Sequence, residues 1–395
     1  VKKPLIVQKF GGTSVGSIER IQHVAEQIIR EKKAGSQLVV VVSAMSGETN
    51  RLLNLAKQID SVPNARELDA LLSTGEQVSM ALLSMTLSKL GYRAISLTGS
   101  QAQIQTNNQH NNATISDINP QVIKQYLNDD QIVIVAGFQG VNERNDVTTL
   151  GRGGSDTTAV TLAGILGANE CQIYTDVDGI YTGDPRVVNK AQRLESINFP
   201  AMTEMSRKGA KVLHLPCVEY AWQHQVPLRV LSSFQPGKGT LVQGDEQTSG
   251  ILGIAVQKQL LSLTVPQRNK QHIVQQSMLC GVEIECWVEK AEHCALIIKE
   301  EAFDKITSLL DGLVIKKQEV GLVSVVGQVM SSFSSQSQQL LNLAEISVLH
   351  FCEDKHSFTL VIESGTIDKA TNVLHDNYII PNEMVSREEK LVCLG

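Results

Sequence analysis

Along roughly the first 245 residues, short unbroken apolar runs alternate with stretches in which apolar residues return every three or four positions. The runs at 5–7, 38–42, 94–97, 132–136, 171–175 and 228–231 are continuous, as in strands buried on both faces. Between the first two, Ile18, Ile21, Val24, Ala25, Ile28 and Ile29 recur at helical spacing, with Ser17 placed to cap the helix and Gly35 to stop it. Helical patterns at 77–90 and 157–166 continue the alternation, which predicts an α/β domain. The Gln- and Asn-rich tract 101–119 reads as a loop or hairpin, and its composition alone assigns it no role.

Around Gly237-Lys-Gly-Thr and Gly244-Asp-Glu-Gln-Thr-Ser-Gly250 the pattern breaks, which places a domain boundary near residue 245. Beyond it the chain reads as a duplication. His293-Cys-Ala-Leu-Ile-Ile-Lys leads into the amphipathic stretch Phe303-Asp-Lys-Ile-Thr-Ser-Leu-Leu-Asp311. About 64 residues on, His356-Ser-Phe-Thr-Leu-Val-Ile-Glu leads into Ile367-Asp-Lys-Ala-Thr-Asn-Val-Leu-His-Asp376. A β-like run precedes each copy, at 282–288 and 346–352, so each repeat suggests a β-α-β-β-α-β unit. The alternative is one irregular α+β domain with chance similarity. The division expected is therefore 1–245, 246–320 and 321–395, with the last two free to interleave.

Composition narrows the function classes. The 395 residues are 42% hydrophobic and 19% charged, with a formal charge of −6 and no basic block, unlike a nucleic-acid binder. The N-terminus lacks the apolar run of a signal peptide, and no stretch approaches the roughly 20 apolar residues that span a bilayer. Seven cysteines, at 171, 217, 280, 286, 294, 352 and 393, are scattered and form no Cys-x-x-Cys. Reduced thiols in a cytoplasm are expected, with no disulfide framework or zinc site. The nine histidines form no ligand-spaced pair, so no protein-built metal cage is expected.

Three glycine-rich clusters carry the chemistry. The first strand runs into Lys9-Phe-Gly-Gly-Thr-Ser-Val-Gly16, where glycines let backbone N–H groups approach phosphate oxygens and Lys9 supplies a fixed positive charge. It is neither a Walker A loop nor a dinucleotide fingerprint, and a double glycine after a strand is, taken alone, more often a tight turn. Thr149-Leu-Gly-Arg-Gly-Gly-Ser-Asp156 precedes a helix expected near Thr157, for which Asp156 is a natural N-cap. Packing gives no reason for Arg152 among three glycines, whereas bidentate capture of a substrate carboxylate does. Tyr174-Thr-Asp-Val-Asp-Gly-Ile-Tyr-Thr-Gly-Asp-Pro-Arg186 begins at a strand end, where α/β sheets place ligands, although its Asp, Gly and Pro also suit a plain loop.

Together with Ser43-Ala-Met-Ser-Gly-Glu-Thr-Asn50 and Leu72-Ser-Thr-Gly-Glu-Gln77, these clusters closely resemble the aspartokinase branch of the amino-acid kinase family over about residues 4–245. The resemblance implies an open, mainly parallel sheet sandwiched by helices, followed by tandem ferredoxin-like ACT domains. It implies transfer of the γ-phosphate of Mg-ATP to the side-chain carboxylate of L-aspartate, the entry to lysine, threonine and methionine synthesis. Lys9 would contact the transferring phosphoryl group, and Asp156 would position Lys9 near the phosphate–magnesium end. The ATP site would take Lys9, Phe10, Gly11, Gly12, Ser43, Thr175, Asp176, Tyr181, Asp184, Arg186, Lys211 and Val212. Aspartate would lie against Thr49, Glu76, Arg152, Gly153, Gly154 and Ser155, with Glu76 suited to its ammonium. Mg²⁺ would be bound mainly through ATP phosphates.

The tail matches less well. Pro266-Gln-Arg-Asn-Lys-Gln271 lacks the glycine of the family's effector loop. Ser331-Ser-Phe-Ser-Ser-Gln follows Val323-Ser-Val-Val-Gly-Gln-Val-Met330 in place of the usual His-Pro-Gly-type segment. ACT pairing implies a homodimer or a dimer of dimers, while feedback by lysine or threonine stays open. His214-Leu-Pro216 replaces the family's usual His-Pro-Arg.

Overall fold

The computed structural model describes residues 3–245, 250–289, 291–310, 312–327 and 332–379, which form two compact units. Asp311, residues 246–249, 328–331 and Cys393, all named above, lie outside the described residues. The first unit holds the chain up to Ile180 with Leu194–Thr203 and Lys211–Asp245. The second holds Tyr181–Arg193, Glu204–Ala210 and the described residues beyond 249.

In the first unit the chain runs β1 (Leu5–Phe10), α1 (Ile18–Lys33), β2 (Gln37–Val42), α2 (Glu48–Ile59), α3 (Ala65–Leu72), α4 (Thr74–Lys89) and β3 (Ala94–Leu97). Then come β4 (Ile104–Thr106), β5 (Ile115–Ile118), α5 (Gln121–Asn128), β6 (Ile132–Ala136), β7 (Gln139–Val141), β8 (Val147–Thr149), α6 (Gly154–Leu166) and β9 (Glu170–Thr175). β10 (Ser196–Ile197), α7 (Phe199–Arg207, counted with the second unit from Glu204 on), α8 (Leu215–Gln223), β11 (Leu228–Ser232) and β12 (Thr240–Val242) follow. The main sheet has the order β10-β12-β11-β9-β1-β2-β6-β3, parallel from β11 to β3. A small sheet, β5-β4-β7-β8, takes in the polar tract, whose β4 and β5 pair antiparallel.

Strand alternation sorts the side chains. Ile6 and Phe10 of β1, Leu38, Val40 and Val42 of β2, and Ile132 and Ile134 of β6 pack under Ile21, Val24 and Ile28 of α1 and Leu83 and Leu87 of α4. The odd-numbered positions of β1 therefore face the other way, toward α6, which packs on β1, β2 and β9. α6 is apolar nearly all round, and Ala159, Val160, Leu162 and Ala163 are fully buried. Ser17 caps α1, accepting from the Arg20 N–H, and Gly35 follows its last turn at φ +102°. Both are as the spacing predicts.

The second unit continues β13 (Ile251–Pro266), α9 (Lys270–Leu279), β14 (Ile284–Glu289), β15 (His293–Lys299), α10 (Phe303–Leu310), β16 (Lys316–Gly327), α11 (Ser332–Leu343), β17 (Val348–Asp354), β18 (Ser357–Glu363) and α12 (Ile367–Tyr378). These strands make one antiparallel sheet, β14-β15-β13-β16-β18-β17. β16 closes the first repeat as its fourth strand and opens the second, and residue 320 lies within it. Each repeat has its own core, one around Ile273, Leu296 and Ile306, the other around Leu341, Phe358 and Leu374. The strands β14 and β17 end the hydrogen-bonded order, yet Cys286 and Cys352 on them bring their Sγ atoms to 2.8 Å. In the Cys280–Cys294 segment, Cys280 is exposed and Cys294 buried.

Candidate active site

The main-sheet strands from β11 to β3 all end toward the same edge, and glycine-rich loops follow β1 and β9 there. Lys9, next to last in β1, points to the α6 side, where Asp156 stands in that helix's first turn. Their Nζ and Oδ1 atoms are 2.6 Å apart, and both side chains are about nine-tenths buried. Asp156 is not the N-cap that its position suggests. The helix starts three residues earlier than expected, at Gly154, with Gly153 as the cap in a left-handed conformation. Asp156 therefore leaves the capping role and is available to Lys9.

Backbone approach explains the second glycine of the first cluster. A Cβ on Gly12 would lie 2.8 Å from the Ala44 carbonyl, whereas one on Gly11 would make only ordinary contact with the Lys9 ammonium at 3.5 Å. Gly12 O accepts from Ser46 N–H at 3.1 Å, and Phe10 O accepts from Ser43 N–H at 3.1 Å, which binds the β1 and β2 loops together. The Phe10 ring is fully buried and stacks on Tyr174 at 4.5 Å, so at this position only the main chain is presented to the loop. Gly75 brings α4 against Ala44, where its Cβ would meet that of Ala44 at 2.8 Å. Glu76 follows directly, its Oε1 accepting the Ala44 N–H at 3.1 Å. Burial pushes the Glu76 carboxyl up to about 7, against the opposing pull of its backbone hydrogen bonds.

Thr49 lies half-buried in the first turn of α2, and Ser43 half-buried beside it in the loop. Arg152 is exposed on the loop before α6, while Ser155 is buried, packed so close that a Cβ on Gly137 would lie 2.7 Å from its Oγ. Gly153 (φ +72°) lies under the His214 ring, which a Cβ would strike at 2.3 Å. His214 is thus a packing partner of the loop before α6, next to exposed Lys211 and half-buried Val212. Thr175 donates to Asp176 at 3.1 Å at the end of β9. Tyr181, Asp184 and Arg186 belong to the second unit. There the Arg186 guanidinium and N–H both engage Asp184, and hold its carboxyl below the usual range.

One buried group escaped the sequence reading. Asp69, wholly buried on α3, accepts from the Asn111 N–H at 3.1 Å, sits 2.6 Å from His110 Nδ1, and receives the Thr149 hydroxyl. It ties the polar tract to the strand that leads into Arg152. The available signal was its place three residues before Leu72, on the apolar stripe of α3. Among the described residues no group of three or more His, Cys, Asp or Glu could hold a metal. Asp156 sets one carboxylate beside the Lys9 ammonium, an oxygen donor of the kind a hard divalent cation takes.

The model of the amino acid kinase family matches residues 4–232. The chain belongs to the amino acid kinase family. Within that family it is 44% identical to an aspartate kinase of Pseudomonas putida, over 94% of this chain and 96% of the relative. It is 41% identical to aspartokinase 2 of Bacillus subtilis, over 95% and 97%. The fold is that of Escherichia coli aspartokinase III solved with aspartate and ADP, at TM-score 0.80 and 24% identity over 94% of this chain and 99% of that one. The amino acid kinase core followed by a tandem α+β tail accords with the expected fold class. Among the described residues, no helix is long and apolar enough to cross a membrane.

Proposed function

We infer that the chain is an aspartate kinase, transferring the γ-phosphate of ATP to the side-chain carboxylate of L-aspartate to give 4-phospho-L-aspartate and ADP. The observation that carries this reading is the buried Lys9–Asp156 pair at the sheet edge, between loops whose glycines open their backbones. The substrate carboxylate is already an anion near neutral pH, because such a group titrates near 3.9, so no general base is required. What the site must do is bring two anions together in line and spread the transferring charge. Lys9 supplies the fixed charge, and Asp156 holds its ammonium in one place. The first-turn N–H groups of α6 and the Gly12 amide add donors, while the Gly11 N–H donates to the Tyr174 carbonyl at 3.2 Å. Mg²⁺, bound mainly through the phosphates, would screen charge between nucleotide and acceptor.

Arg152, Gly153, Gly154 and Ser155 hold the aspartate carboxylate, and Thr49 and Glu76 take its amino end. Ser43, Thr175, Asp176, Tyr181, Asp184, Arg186, Lys211 and Val212 line the nucleotide. The catalytic domain is residues 1–245, and 246–320 and 321–395 are two ACT-type units that share β13 and β16. The enzyme works in the cytoplasm as a homodimer or a dimer of dimers. Its product enters lysine, threonine and methionine synthesis.

The deciding experiment measures ADP release with Mg-ATP and aspartate, with glutamate and acetylglutamate as competing acceptors. Aspartate-dependent turnover is expected, and Lys9→Ala should lower kcat by ~10²–10³, the usual cost of a lost charge-stabilising donor. Turnover that ignores aspartate, or a fully active Lys9→Ala enzyme, would refute the reading. Lysine and threonine, titrated separately and together, read whether the tail holds an effector.

A further inference from the structure

The segment Tyr181–Arg193 carries three residues assigned above to ATP, and within the second unit one helix grips it. Asn372 on α12 uses both ends of its amide. Its Oδ1 accepts the Asn189 N–H at 3.0 Å, and its Nδ2 donates to the Val187 carbonyl at 2.7 Å. One turn on, fully buried His375 places Nε2 2.8 Å from the Thr182 hydroxyl. Beside it, Asp376 pairs with Lys190 at 3.1 Å. From β13, the Ile254 N–H donates to the Thr182 carbonyl at 2.7 Å.

The spacing 372, 375, 376 puts these three side chains on one helix face. The apolar Ala370, Leu374 and Tyr378 pack instead into the core of their repeat. A helix needed only for that core would not bury a histidine, since a buried polar group is costly unless hydrogen-bonded. Here the partners lie on the nucleotide segment. The grip also has a particular geometry. Thr182 is fastened at one end of a short arch and Val187 with Asn189 at the other, so residues 183–186 are spanned between two fixed points. Asp184 and Arg186, locked to each other by the guanidinium and main-chain bonds, occupy that arch.

We propose that Asn372 and His375 are positioning residues for the nucleotide, holding the 183–186 arch in the shape that receives ATP. The second repeat thereby contributes to ATP affinity whether or not an effector is bound. This rests on the assignment of Tyr181, Asp184 and Arg186 to the ATP site.

The test is steady-state kinetics of the full chain for wild type, Asn372→Ala, Thr182→Val, Thr182→Ser and Arg186→Ala, with thermal melts to establish folding. Asn372→Ala and Thr182→Val should each raise KM for Mg-ATP about tenfold, the scale of one or two lost hydrogen bonds. KM for aspartate should stay put, kcat should change much less, and Thr182→Ser should behave as wild type. If Asn372→Ala does not fold, the Val and Ser variants of Thr182 carry the test alone. A folded Asn372→Ala with unchanged ATP KM, beside an Arg186→Ala that raises it, overturns the positioning role and leaves the ATP assignment standing. An ATP KM that Arg186→Ala does not move overturns both. Equal losses in both KM values and kcat would mark a structural role only, and also overturn the proposal.

Discussion

Glu76 is the residue whose chemistry is most altered by its surroundings. Burial raises its carboxyl to about 7, so around neutrality the site without substrate holds a mixture of charged and neutral forms. Because the folded value lies above the ordinary one of 4.5, the folded state binds more protons between pH 4.5 and 7. Stability from this group is therefore full below 4.5, falls as pH rises through about 7, and is flat beyond. Denaturation of wild type at pH 5 and pH 8 should show that loss, and Glu76→Gln should lack it. In the role proposed for Glu76, binding runs the other way, since an aspartate ammonium would favour the charged carboxylate. KM for aspartate should accordingly rise below pH 7 in the wild type and be high but flatter in Glu76→Gln. Lys9 stood out in the sequence because it directly precedes the glycines that follow a strand, where it can supply a fixed positive charge. Asp156 was legible as a partner, yet its local role was misread, because a glycine in the left-handed region began the helix one turn early. Asp69 and His110 were not legible, being 41 residues apart in sequence and joined only by the fold.

Among the elements, the βα connections behave as rigid brackets whose glycines are irreplaceable for different reasons. Gly153 combines a positive φ with a ring pressed onto its Cα. Gly153→Ala should cost about 1–2 kcal/mol for the left-handed backbone alone, and raise KM for aspartate as the loop shifts from His214. Adding His214→Ala should return part of the loss, since it removes the ring contacts at 2.3 and 2.4 Å but leaves the Cβ contact at 2.8 Å and the φ penalty, and a double-mutant cycle on Tm and KM measures both. The strands at 94–97 and 132–136 matched the observed elements residue for residue, since period and length are local properties. The double duty of β13 and β16 was not readable, because strand sharing is settled by long-range pairing. Each repeat therefore shows five of its own elements and borrows the sixth.

At the level of the whole molecule, the second unit takes in two segments from before residue 245 as well as the described residues beyond 249. Tyr181–Arg193 and Glu204–Ala210 lie early in the chain but hold to the second unit, through bonds such as that of the Ser357 hydroxyl to Glu204 at 2.7 Å. No compositional shift marks them, because their partners arrive more than 60 residues later. Local stability should follow the partners and not the chain order. In native-state hydrogen exchange of the full protein, peptides from 181–193 and 204–210 should open at the same denaturant concentrations as β16 and α12. Opening together with β9 would contradict this division.

The placement of β1 between β2 and β9 also sets a timetable. One neighbour emerges within a few dozen residues, but the other begins about 160 residues later. At the ~5–20 residues per second of synthesis, that is a wait of roughly ten to thirty seconds. Throughout it the strand carrying Lys9 has a bare edge, and α6, which brings Asp156, is made only at its end. The nascent chain must therefore keep an apolar strand from pairing with a stranger for longer than most domains take to fold. Chaperone demand should accordingly be concentrated in the interval before residue 175 leaves the ribosome.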